Sequence, residues 1–194
     1  MKKLFKIAGI FLLSILGVII IGIIVFNSYY AIINAKAKKQ LAEVSVLTDN
    51  GFQYRDLNKN GKLDTYEDSR QDIEARVNDI LLQMTIEEKV GMMWHPPIGV
   101  GKKGEVLGKL DIMALNIYSA YDIIATRKLN HFNLFAIPKS KLLAQWYNAI
   151  QKLAEQTRLG IPLTISSDPR HGISNFIGTD LLGSDFSKWP EPIG

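Results

Sequence analysis

The chain contains no cysteine, and no acidic residue precedes Glu43. Without cysteine there is no disulfide and no lipid-modified thiol, and the redox compartment leaves no trace in the sequence. The early absence of acid explains the basic balance. Six lysines lie before residue 40, so a net charge of +4 leaves −2 for everything after them. A nucleic-acid footprint would need a basic stripe on the folded part, and that part is slightly acidic; nucleic acid is excluded as a partner. The glycines around Gly99, Gly101, Gly104 and Gly108 fit neither the dinucleotide nor the P-loop spacing. Internal repeats and low-complexity tracts are also lacking.

A long apolar run is present. Ile7 to Phe26 carries no charge and is long enough to cross a hydrocarbon core. Lys2, Lys3 and Lys6 precede it, which favours a cytoplasmic N-terminus and an exported remainder. The alternative is a cleaved signal peptide, but its apolar core is usually only about 7–15 residues. The small-residue triplet Ala35-Lys36-Ala37 lies well beyond the run. The expectation is a single-pass anchor through residues 7–26, with 1–39 as tip and anchor, 40–51 as spacer and 52–194 as one folded unit.

Asp56-Leu57-Asn58-Lys59-Asn60-Gly61-Lys62-Leu63-Asp64-Thr65-Tyr66-Glu67 matches a calcium loop. Asp56, Asn58 and Asn60 occupy positions one, three and five. Gly61 makes the turn at six, and Lys62 offers its carbonyl at seven. Asp64 sits at nine and Glu67 supplies two oxygens at twelve. Calcium needs six to eight hard oxygens around a sharply bent backbone, and this spacing supplies them. An Asx-rich turn bonding its own backbone is the plainer alternative. No pair of long amphipathic helices flanks the loop, so a bound ion would serve structure.

Ile73, Val77, Ile80, Leu81 and Met84 recur at helical spacing. Thr85-Ile86-Glu87-Glu88 then forms a capping box opening a short helix that ends near Gly91. Met92 to Gly108 reads as irregular loop, in which His95 beside Trp94 is read as a surface histidine in preference to a pocket-lining one, and residues 111–131 read as partly helical. Phe132–Ile137 is a strand. Ser140 is placed to cap the next helix, whose apolar face is Leu142, Leu143, Trp146, Ala149, Ile150, Leu153 and Ala154. Gly160 and Pro162 stop it, and Leu163–Ser167 is a second strand. A crossover of this length forces the two strands to be parallel. Ligands of such folds gather at the carboxyl ends of the strands, where Ser167, Asp168, Arg170 and His171 fall.

Three stretches, ARVNDILLQMTIEEKVGMM (75–93), LAQWYNAIQKLAEQTRLGIPLTISSDPRHG (143–172) and FSKWPEPIG (186–194), resemble the N-terminal domain of glycoside hydrolase family 3, the β-glucosidases and β-xylosidases. The DLNKNGKLDTYED segment is similar to the start of many bacterial members. The resemblance covers about residues 52–194. It implies a (β/α)8 TIM-type barrel, exo-acting on β-linked glycosides with retention of configuration. It also implies that Asp168 binds sugar hydroxyls in the first subsite, with Arg170 and His171 shaping that pocket. Charge-assisted bonds from a carboxylate suit the task, being about twice as strong as neutral ones.

Retaining hydrolysis needs two carboxylates about 5–5.5 Å apart. In the family the nucleophile is an aspartate of a Ser-Asp-Trp or Ser-Asp-Tyr motif much later in the barrel, and the acid/base lies later still. Ser184-Asp185-Phe186 imitates that motif but directly precedes Trp-Pro-Glu-Pro, an early loop of the family pattern. A complete barrel takes about 250 residues. The expectation is therefore a partial barrel, α/β in class, that binds sugar without cleaving it and has no catalytic residue of its own. Two other readings remain: a calcium-dependent, non-catalytic carbohydrate-binding module at the cell surface, and an enzyme using Asp168 with Asp180, Asp185 or Glu191.

Overall fold

The computed structural model describes residues 2–101, 103–109, 117–134 and 139–166, apart from the side chains of Lys3, Leu4 and Ala8. Asp168, Arg170, His171, Asp180, Asp185 and Glu191 lie outside the described residues, as do the ends of both expected strands at 135–137 and 167.

Helix α1 runs unbroken over Lys2–Lys38 and contains the apolar run. Two antiparallel strands follow, β1 (Ser45–Asp49) and β2 (Phe52–Asp56), joined by Asn50-Gly51. Both turn residues have positive φ, 47° and 82°. That is the type I′ arrangement whose twist matches the strands. The stretch expected as a spacer thus contains β1.

After the Asp56–Glu67 loop comes α2 (Ile73–Gln83), capped by Asp72, whose carboxylate accepts from the Ala75 amide at 3.0 Å. No residue within α2 is buried; Ile73 and Leu82 are 74% and 86% exposed. The expected amphipathic helix forms, but among the described residues its apolar stripe has little to pack against. Helix α3 (Ile86–Gly91) begins at Thr85 with the complete capping box. It stops where a Cβ on Gly91 would stand 2.2 Å from the Lys128 carbonyl oxygen. Only glycine admits that backbone approach.

The core lies around a parallel sheet. Strand β3 (Pro97–Ile98) sits inside the expected loop, β4 is His131–Leu134, and β5 is Thr164–Ser166, in the order β3-β4-β5. Both pairings are parallel, with Ile98 opposite Leu134 and Phe132 opposite Ile165. Between β3 and β4 lies a π-helical segment, Asp122–Thr126, whose Ile123 and Ile124 are buried. Between β4 and β5 runs α4 (Ser140–Glu155). Trp146 and Ile150 of α4 are 0% exposed, packed with Phe132, Leu134, Leu153 and Ala154. The single apolar face drives this packing.

Two boundaries differ from expectation. Ser140 is the first helical residue of α4, and the cap position belongs to Lys139, which makes no side-chain cap bond. Helix α4 ends at Glu155, and Gly160, at φ 61°, closes the turn that follows. The left-handed residue comes one turn late because the Ala154 carbonyl is taken by the Thr157 amide and hydroxyl.

Candidate functional site

The sheet sorts its side chains by pleat. Phe132, Leu134, Ile98 and Ile165 face α4 and the core, so their neighbours Pro97, His131, Asn133, Thr164 and Ser166 face the other way. That second face is half-open among the described residues; Thr164 is exposed. At its carboxyl edge, Ser166 Oγ shares a hydrogen bond with His95 Nε2 at 2.9 Å and stands 3.4 Å from Asn133 Oδ1. His95 is thus bound to the rim of the sheet. Ser166 is two residues short of Asp168, so the chain leads from this polar edge straight into the expected sugar-binding loop. The structure brings together His95, which the sequence reads as a surface loop histidine, with Asn133 and Ser166, which the sequence did not single out. The available signal was Asn133, a lone amide inside an apolar strand.

The opposite end of the sheet holds a cavity of about 270 Å³ lined by Glu88, Lys128, Asn130, Arg158 and Leu163 among others. Arg158 closes it by pairing with Glu88 (Nε to Oε1 at 2.9 Å) and by donating to the Gln83 carbonyl at 2.9 Å. This end holds packing contacts around an ion pair and lies away from the carboxyl edge where ligands gather.

The Asp56–Glu67 loop draws its ligand-type side chains into one cluster. Asp56 accepts from the amides of Asn60 and Gly61, each at 3.0 Å. Glu67 accepts from Leu57 and Asn58 through one oxygen and from Asp64 through the other. Asn58 and Asn60 both turn their amide nitrogens to Asp64 Oδ2, at 2.6 and 2.7 Å. Lys62 is exposed and its amide donates to Asn60 Oδ1 at 2.8 Å. These bonds are those of an Asx-type turn. They also leave oxygens of Asp56, Asn58, Asn60, Asp64 and Glu67 with lone pairs to spare, since a carboxylate has about four acceptor sites. Among the described residues, no group of three or more His, Cys, Asp or Glu side chains stands placed to hold a metal ion. Burial pushes the Glu67 carboxyl up, and its bonds from the Asp64, Asn58 and Leu57 amides pull against that.

The loop is clamped to α4. Lys59 at loop position four donates to the carbonyls of Leu57, Glu155 (2.9 Å) and Thr157. Burial lowers its ammonium pKa, opposed by the carboxylates of Asp56, Glu67 and Glu155. Tyr66 Oη donates to the Leu159 carbonyl at 3.2 Å, and Arg55 pairs with Glu155. A cation at end-of-helix carbonyls is the favourable sign for the helix dipole.

Similarity to known proteins points to one class, β-glycosidases. The chain is 40% identical over 150 residues to the Periplasmic beta-glucosidase/beta-xylosidase of Dickeya chrysanthemi, covering 77% of this chain and 22% of that protein. It is 38% identical over 138 residues to Probable beta-glucosidase C of Aspergillus oryzae (70% and 21%), and 37% identical over 140 residues to Beta-glucosidase C of Emericella nidulans (72% and 21%). The chain is related to these enzymes and spans about a fifth of their length. No family model matches it.

Proposed function

We propose that the chain is the N-terminal part of a membrane-anchored, exo-acting β-glycosidase of the glycoside hydrolase family 3 type, with β3, β4 and β5 as neighbouring strands of a (β/α)8-type barrel. The observation that carries this reading is the sheet. Its three parallel strands are adjacent in chain order, with core on one face and a half-open, largely polar second face. Parallel sheets are normally covered on both faces, and closure into a barrel supplies that cover. The relatives' names support a β-linked glycoside as substrate class.

In this reading Asp168 grips sugar hydroxyls, and Arg170 and His171 shape the subsite. The nucleophile and acid/base belong to the portion of the relatives that this chain does not span, and the chain alone is inactive. Residues 7–26 cross the membrane and leave the folded part outside the cytoplasm. Asp56, Asn58, Asn60, Asp64, Glu67 and the Lys62 carbonyl hold a structural calcium ion that takes no part in chemistry.

The test is a chimera: this chain continued, beyond its aligned region, by the remainder of the Dickeya chrysanthemi enzyme. The chain alone is expected to release no product from aryl β-glucosides and β-xylosides, whereas the chimera turns over. Asp168→Ala in the chimera is expected to cut kcat/KM by about 10²-fold or more, the loss of a charge-assisted contact made with substrate. Turnover by the chain alone, or an active chimera indifferent to Asp168→Ala, would overturn the reading.

A further inference from the structure

Helix α1 is longer than a bilayer requires. A hydrocarbon core takes about 20 residues, and Ile7–Phe26 meets that. Asn27–Lys38 continues the same helix for about 18 Å more. The two parts have different surroundings. Large apolar side chains from Phe5 to Phe26 stand 42–76% exposed, whereas Tyr30 and Ala37 are 4% and 0% exposed.

What covers the second part is the folded domain, through bonds with defined direction. Asn34 uses both ends of its amide: Nδ2 donates to the Gly108 carbonyl at 2.7 Å, and Oδ1 accepts from the wholly buried Ser119 hydroxyl at 2.5 Å. A Cβ on Gly108 would sit 3.2 Å from Asn34 Nδ2, so glycine keeps that approach open. Tyr30 Oη donates to the Ile117 carbonyl at 2.6 Å. Lys109 Nζ reaches Asn27 Oδ1 at 2.7 Å, one residue past the end of the apolar run.

We propose that Asn27–Lys38 is a rigid mount: the helix is retained in the mature protein, and its polar end fixes the domain directly against the lipid headgroups with no slack between. This rests on the reading of Ile7–Phe26 as a membrane span. Because Lys109 already meets the helix at Asn27, the face carrying Lys109 lies at headgroup level, where an ammonium finds phosphate and where Phe26 and Tyr29 suit the interface. Cleavage at Ala35-Lys36-Ala37 would have to unwind a helical turn whose Ala37 is fully covered.

The absence of native cysteine permits a clean test on the full chain in bacterial membranes. Asn34→Cys with Ser119→Cys is expected to cross-link in most molecules on mild oxidation, and Leu12→Cys with Ser119→Cys is not. Intact mass is read on the same samples. A membrane-bound chain of full mass that links no better than the control overturns the mount and leaves the anchor standing. A chain released to the soluble fraction, or beginning beyond Ala37, overturns the anchor as well. Should the cysteine pair impair folding, Tyr30→Phe decides in the otherwise native chain: its Tm is expected to fall by about 2–4 °C, and an unchanged Tm overturns the mount.

Discussion

Glu88 serves two neighbours at once. Its carboxylate accepts from the Thr85 amide at 2.9 Å to complete the capping box, and it pairs with Arg158 seventy residues away. Burial pushes its pKa up, but the Arg158 bond, the Thr85 amide and the nearby positive charge outweigh that and leave it lowered. A carboxylate lowered in the folded state contributes stability above its unfolded pKa and loses it as pH falls through the folded value. Glu88→Ala is therefore expected to destabilise by about 1–2 kcal/mol at pH 7. The difference from the native chain should shrink below about pH 4.5; denaturant titrations at pH 7 and pH 3.5 check both statements. Half of this residue was legible in advance. Thr85-x-x-Glu88 announces the cap, because cap partners lie within one turn. Arg158 left no sign, because its pairing depends on how α3 and the end of α4 come together in space. His95 is the same case: nothing local distinguishes a loop histidine from one bonded to Ser166 across the sheet.

Among elements, those with strong periodicity or cap chemistry were legible: α2, α3, α4, and the parallel relation of β4 and β5. Strand β3 was not, because two residues beside prolines carry no alternation and are strand only by pairing with β4. The β1–β2 hairpin had its Asn-Gly signal, hidden in a stretch expected to be a spacer. The bent Asp56–Glu67 loop was legible from its spacing, while its clamp onto α4 through Lys59 was not. If the loop binds calcium, occupancy stabilises the folded state by mass action. Raising free calcium from chelated levels to about a hundred times its Kd is then expected to raise Tm by about 5–10 °C, a response that Glu67→Gln removes. A Tm indifferent to chelator would mark the loop as a self-sufficient Asx turn.

At the scale of the whole molecule, the core among the described residues is one-sided. Trp146, Ile150, Phe132 and Leu134 fill the space between α4 and the sheet, while Thr164 on the reverse face is exposed. The sequence could announce parallel strands and a carboxyl edge; it could not say how far the sheet continues, since each strand reports only its immediate neighbours. If the reverse face belongs inside a barrel, supplying the remaining strands buries it. The chimera is then expected to unfold cooperatively about 10 °C or more above this chain alone, and calorimetry of the two side by side checks it. Equal transition temperatures would count against the barrel.

The clamp between Lys59 and the carbonyls of Glu155 and Thr157 also sets an order of events. Nearly a hundred residues separate those partners, and the ribosome delivers the lysine first. Until the far end of α4 has emerged, Lys59 has only its local Leu57 acceptor and Tyr66 lacks the Leu159 carbonyl, so the clamp stays open during synthesis. A nascent chain halted before Thr157 is therefore expected to remain open there to proteases.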